Sequence, residues 1–176
     1  MKTFVGLLML FFGILFLGFL IFQGAMGFYL YDKIIYSNWS LAEKASTISQ
    51  KSEYIDKFSS ALENSDLDNR YNTLFFPTPD NSFDENFKAL TSLQDRLHGI
   101  KGLEENTPAY QIAMQQITEQ QSQAGRMLSV FSGSWWQSNY YYLWNTYITT
   151  ILITLSSMLI IFGMAVTFGK AEPYDE

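Results

Sequence analysis

The apolar positions of this chain form unbroken blocks near its two ends and a periodic pattern between them. From Phe4 to Phe22 no side chain is polar or charged. After Gln23 the uncharged run resumes to Tyr31, and the first charges beyond Lys2 are Asp32 and Lys33. A second uncharged run extends from Leu143 to Phe168 and closes at Lys170. An apolar run of about 18 residues or more predicts a transmembrane helix, because a helix rises about 1.5 Å per residue and the bilayer core is about 30 Å thick. Phe4–Tyr31 would be about 42 Å long at that rise. The helix must therefore tilt, or its Gln23–Tyr31 end stands in the headgroup layer, which suits Phe28, Tyr29 and Tyr31. Lys2 and Ala25-Met26-Gly27 also fit a cleaved signal peptide. The run exceeds the apolar core of about 7–15 residues usual for such peptides, so retention as an anchor is expected.

Between the blocks the pattern is helical. Leu41, Ala45, Ile48, Ser52, Ile55, Ser59 and Leu62 recur at alternating four- and three-residue steps, widened by Trp39, Ala42 and Phe58. Lys44, Lys51, Glu53, Asp56, Lys57 and Glu63 supply the wet face. This predicts one amphipathic helix from Ile34 to about Asn64 with a narrow seam. No proline or glycine divides it from the first span, so the two are expected to run on as one rod. Asn64 to Ser82 reads as a loop, since Pro77 and Pro79 forbid regular helix. Ser82 and Glu85 have the spacing of a capping box. The helix that follows carries Phe83, Phe87, Leu90, Leu93 and Leu97 on one face and is expected to end near Gly99 and Gly102.

Thr107-Pro108 predicts the start of a third soluble helix. Its stripe is Tyr110, Ala113, Met114, Ile117, Ala124, Met127, Leu128 and Phe131, with Ser132-Gly133-Ser134 as the interruption. Gln115, Gln116, Gln120, Gln121 and Gln123 face water or bridge the seam. Trp135, Trp136, Tyr140, Tyr141, Tyr142 and Trp144 read as an aromatic belt ahead of the second span.

The expected fold is an all-α membrane protein: two transmembrane helices flanking an extracytoplasmic antiparallel bundle of three soluble helices. The divisions are residues 1–31 for the first span, 32–139 for the helical domain, 140–169 for the second span and 170–176 for a short tail. Lys2 and Lys170 flank the terminal side, and the central segment exceeds the about 60 residues over which positive charge retains a loop. Both termini are therefore expected in the cytoplasm of a prokaryotic cell and the helical domain outside.

Composition narrows the chemistry. The 176 residues include no cysteine, so no disulfide, thiolate metal site or cysteine nucleophile is available. A net charge of −6 argues against nucleic-acid binding and against a polybasic grip on anionic lipid. His98 is the one histidine, expected to be exposed at a helix C-terminus. Asp84-Glu85 is explained by helix capping and Glu104-Glu105 by a solvated loop. Asn38-Trp39-Ser40 fits a glycosylation acceptor. No catalytic residue, metal ligand or cofactor site is assigned, and the chain is not expected to be an enzyme.

The interaction candidates are Phe75 and Phe76 in the loop, and Thr150, Thr154, Ser157, Ala165 and Gly169 on the second span. Thr150, Thr154 and Ser157 share a helical face; Ala165 and Gly169 have small-xxx-small spacing. This face is expected to dock on another membrane subunit or a second copy, with packing on the first span as the alternative. In the first span only Gly6, Gly13 and Gly18 are offered to meet it. Two function classes follow: an accessory subunit that presents a helical domain to a larger membrane complex, or a ligand-sensing domain. In architecture alone the chain is similar to the periplasmic four-helix sensory modules of bacterial receptors. Those receptors have a cytoplasmic output domain, so a sensor here would signal through a partner.

Overall fold

The computed structural model describes residues 2–73, 76–144 and 146–169, with side chains for all of these except 140–144 and 146. It is helical: α1 (Lys2–Tyr31), a π-helical turn (Asp32–Tyr36), α2 (Ser37–Lys44), α3 (Ile48–Glu63), a 3₁₀ turn (Pro79–Asn81), α4 (Phe83–Ile100), α5 (Pro108–Ser122), α6 (Gly125–Trp144) and α7 (Thr146–Phe168). Two helices are long and apolar enough to cross a membrane, the continuous helix Lys2–Lys44 and Tyr147–Phe168. The chain divides into two compact units. One comprises Met1–Met26 and Tyr142–Glu176, the other Gly27–Tyr141.

In the Gly27–Tyr141 unit, the single helix expected over Ile34–Asn64 is broken. Its first part does continue the apolar helix without interruption to Lys44. Ala45 then leaves the helical region with ψ 134°, and Thr47 starts a new helix as its N-cap, accepting from the Gln50 amide at 3.2 Å. Thr47-x-x-Gln50 has the residue types of a capping box, a signal the seam alone hides. The break reassigns Lys51, which the pattern placed on the wet face. Lys51 is only 2% exposed. Its ammonium donates to the Ala42 carbonyl at 2.9 Å, the Glu43 carbonyl at 3.4 Å and Gln121 Oε1 of α5 at 2.8 Å. The last carbonyls of α2 have no intrahelical donor, and a cation at the negative helix end satisfies them. Burial pushes the Lys51 ammonium below the usual lysine value, against the upward pull of Glu43.

The core is aromatic. Trp39, Phe58, Phe131 and Phe83 form a chain of rings with centroids 5.3, 5.9 and 5.5 Å apart. Ile48, Ile55, Leu62, Leu90, Leu97 and Ile117 are buried with them. Leu128 is only half-buried; Val130 and Phe131 take the core positions on α6. The Tyr110 hydroxyl accepts from the Ile48 amide at 3.0 Å, supplying an acceptor for an orphan donor in the first turn of α3. Asp56 of α3 accepts from Gln94 at 2.7 Å and pairs with His98 Nε2 at 2.9 Å. His98 is exposed in the last turn of α4, as expected, and also ties α4 to α3.

Thr107 caps α5 as expected, accepting from the Tyr110 amide at 3.2 Å, with Pro108 at the first helical position. Two other punctuation marks are corrected. The stripe from Tyr110 to Phe131 breaks at Gln123-Ala124, before Gly125, and α6 runs straight through Ser132-Gly133-Ser134. Ser82 precedes α4 but makes no side-chain cap; Asn86 Nδ2 instead donates to the Ser82 carbonyl at 2.8 Å. The Trp135-Trp136 pair is buried within this unit rather than standing apart as a belt. Trp136 lies over Gly27, where an added Cβ would meet its ring Cζ3 at 2.6 Å, so glycine is needed for the contact. Asn38 and Ser40 lie within α2 around the fully buried Trp39, not in the loop a glycosylation acceptor favours.

The loop from Asn64 to Ser82 is tied at its base. Tyr71 and Ser82 form an antiparallel bridge, Asn72 donates to the Asn81 carbonyl at 2.8 Å, and Phe83 to the Arg70 carbonyl at 2.9 Å. Asp66 and Asn69 turn the chain at positive φ, 51° and 59°, a conformation Asp and Asn tolerate. Among the described residues of this loop, Leu67 and Ser82 are buried.

Candidate functional site

The unit holding the two apolar segments is packed by absent atoms. On α7, Ser156, Ile160, Gly163 and Thr167 recur at four-, three- and four-residue steps and face α1. A methyl at Gly6 would meet the Thr167 amide nitrogen at 2.9 Å and the Gly163 carbonyl oxygen at 3.0 Å. A methyl at Gly163 would meet the Leu10 nitrogen at 2.8 Å and the Gly6 oxygen at 2.9 Å. At Gly13 it would strike Ile160. Close backbone approach is how apolar helices gain packing where lipid removes the hydrophobic drive. Ser156, fully buried, donates to the Gly13 carbonyl at 2.8 Å and fixes the register. Gly18 meets nothing within 4 Å. Helix α1 therefore does offer glycines to α7, at Gly6 and Gly13, but they meet Ser156, Ile160, Gly163 and Thr167.

The residues singled out as a docking face lie elsewhere on α7. Thr150 and Thr154 are exposed and Ser157 is half-buried. Thr154 donates to the Thr150 carbonyl at 2.7 Å, and Ser157 to the Ile153 carbonyl at 2.8 Å. Both hydroxyls are thus satisfied on their own helix. Ala165 and Gly169 are exposed and joined by the helix-terminal bond from the Gly169 amide to the Ala165 carbonyl, at 2.8 Å. The face missed in the sequence had a signal: Gly6 and Gly13 are seven apart, as are Ser156 and Gly163, so each pair returns to one side of its helix.

In the Gly27–Tyr141 unit, Phe76 is 80% exposed at the loop tip. Its carbonyl accepts from Asn81 Nδ2 at 3.1 Å. Phe75 lies outside the described residues. At the loop base Arg126 pairs with Asp80, whose carboxyl is held below the usual carboxylate range by the Thr78 hydroxyl and by Arg126.

One cleft of about 340 Å³ opens between α4 and the α5–α6 break. Leu93, Ala124 and Met127 give it an apolar floor, and Arg96, Gln120 and Gln123 its polar wall. Gln120 Oε1 is buried there without a hydrogen-bond partner. Among the described residues no carboxylate pairs with Arg96. A guanidinium beside an unmet acceptor suits a small carboxylate carrying its own N–H or O–H donor. Among the described residues no group of three or more His, Asp or Glu side chains is placed to hold a metal.

The chain matches no family model, no curated protein sequence and no solved structure.

Proposed function

We propose that this chain is a non-catalytic integral membrane protein, an accessory subunit presenting a helical domain to a larger membrane complex. In this reading Lys2–Tyr31 and Thr146–Phe168 both cross the cytoplasmic membrane of a prokaryote, the termini are cytoplasmic and the central domain is outside. The observation that carries it is the two-faced character of α7. The Ser156–Gly163–Thr167 side is consumed by α1, while Thr154 and Ser157 remain on a second side with their hydroxyls satisfied internally. A face of short, self-satisfied side chains costs little to bury against another helix and lets that helix approach closely. The exposed Phe76 offers a second contact outside the bilayer.

Replacing Thr154 and Ser157 together by leucine should release the protein from its native complex in mild detergent, with helicity by circular dichroism unchanged. A double variant that still co-migrates with every native partner removes the reading.

The cleft at Arg96 favours a second reading, a ligand-sensing domain that signals through a partner. Purification in mild detergent separates the two. Stoichiometric large partners support the subunit; a lone dimer carrying a small molecule supports the sensor.

A further inference from the structure

A second hollow of the Gly27–Tyr141 unit, about 390 Å³, lies between the π-helical turn and α6. Phe28, Tyr31, Asp32 and Tyr36 line it from one side, Gly125 and Ser132 from the other. An added Cβ at Gly125 would meet nothing within 4 Å, so the hollow is open above its backbone. Tyr31 is 8% exposed, yet its hydroxyl lacks a partner in hydrogen-bond geometry; Ser132 is near enough to influence it without completing a bond. Among the described residues no cation pairs with the Asp32 carboxylate. Lys33, next in sequence to Asp32, sits over the Tyr29 ring at 5.5 Å, and Arg126, next in sequence to Gly125, pairs with Asp80.

We propose that this hollow binds the ammonium headgroup of an aminophospholipid. The carboxylate of Asp32 supplies the opposite charge, and the unmet Tyr31 oxygen accepts one ammonium N–H. Aromatic rings add cation–π attraction wherever a ring face meets the charge. A π-helical turn widens a helix locally and often marks a functional position; here it carries both Asp32 and Tyr36. The lipid, rather than a soluble amine, is the source because Asp32 is the first carboxylate beyond the apolar run, where headgroups begin. The inference thus rests on Lys2–Tyr31 being a membrane helix.

The test is native mass spectrometry of the full chain released from micelles containing equal dioleoyl-phosphatidylethanolamine and dioleoyl-phosphatidylglycerol. One phosphatidylethanolamine should be retained preferentially. Asp32→Asn should lower that retention about tenfold, the loss of one charge-assisted hydrogen bond, and leave phosphatidylglycerol adducts unchanged. Gly125→Leu, which fills the hollow without altering charge, should lower it as well, with wild-type helicity in both variants. Equal retention of the two lipids by the wild type, or wild-type retention by both variants, overturns the proposal. Soluble phosphoethanolamine binding as tightly as the lipid overturns the lipid as source. Alkaline carbonate extraction separates the underlying reading: a chain released by carbonate is not a membrane protein, and the proposal falls with that reading. A chain that resists carbonate while failing the lipid test overturns the proposal alone.

Discussion

The two units of this protein are held together by opposite means. The Gly27–Tyr141 unit is filled by large rings and branched chains, with Trp39, Phe58, Phe83 and Phe131 all but inaccessible. The unit built from the two chain ends exposes most of its Phe, Leu and Ile side chains and closes on glycine and serine. In water, removing apolar area from solvent drives association, so the largest side chains turn inward. On the proposed membrane reading that drive vanishes in lipid, so large side chains face outward and small ones let backbones touch. The first unit should therefore suffer from atoms removed and the second from atoms added.

Four experiments bear on this contrast. The largest effect is expected from Phe58→Ala, which empties the centre of the ring chain. Denaturant unfolding of the detergent-solubilised protein should show a loss of about 3–5 kcal/mol. A loss below about 1 kcal/mol would mean that the rings are not a cooperative core. Next is Gly163→Leu, where overpacking against Leu10 and Gly6 should cost up to about 3 kcal/mol. Thermal unfolding followed by circular dichroism in detergent should show the drop in stability. An unchanged unfolding midpoint would show that the two apolar helices do not depend on close approach.

Lys51→Met tests the polar staple inside the Gly27–Tyr141 unit. It leaves Gln121 Oε1 without its donor and the Ala42 carbonyl with the Ala45 amide in place of the ammonium, at a cost of about 1–2 kcal/mol at neutral pH. The wild type should also gain stability as pH rises towards the ordinary lysine value of 10.5. Burial lowers the folded-state pKa, so in that window the unfolded chain binds more protons, and raising the pH favours the folded form. The variant should lose this rise; an identical pH profile would place Lys51 in solvent. The smallest effect belongs to Ser156→Ala. It removes one interhelical bond to the Gly13 carbonyl, worth about 0.6 kcal/mol in a membrane setting. Thermal unfolding that moves more than expected for such a bond would make Ser156 a principal lock rather than a register pin.

Much was readable from composition and period. The two apolar runs, the helical content and the Thr107-Pro108 start each rest on local chemistry: backbone bonds within one segment, side-chain spacing, or a missing proline N–H. The buried positions Ile48, Ile55, Leu90, Leu97 and Ile117 also follow from the seam. What pattern alone misplaced or left unseen were features whose reason lies in another element. Lys51 is buried because α2 ends where it does and Gln121 of α5 faces it. His98 pairs with Asp56, which is 42 residues away. Ser132-Gly133-Ser134 stays helical although its sequence suggests a break, and Ser134 is fully buried.

The contact face of the apolar helices shows the division most plainly. Sequence determined that α7 would be apolar with a scatter of small and hydroxyl residues, because that follows from residue type. It did not determine which of two small-residue faces would meet α1, since Thr150–Thr154–Ser157 and Ser156–Gly163–Thr167 both satisfy helical spacing. That choice depends on the partner surface. Gly6 and Gly13 present bare backbone seven residues apart; Gly163 and Thr167 come against the first, Ile160 and the Ser156 hydroxyl against the second.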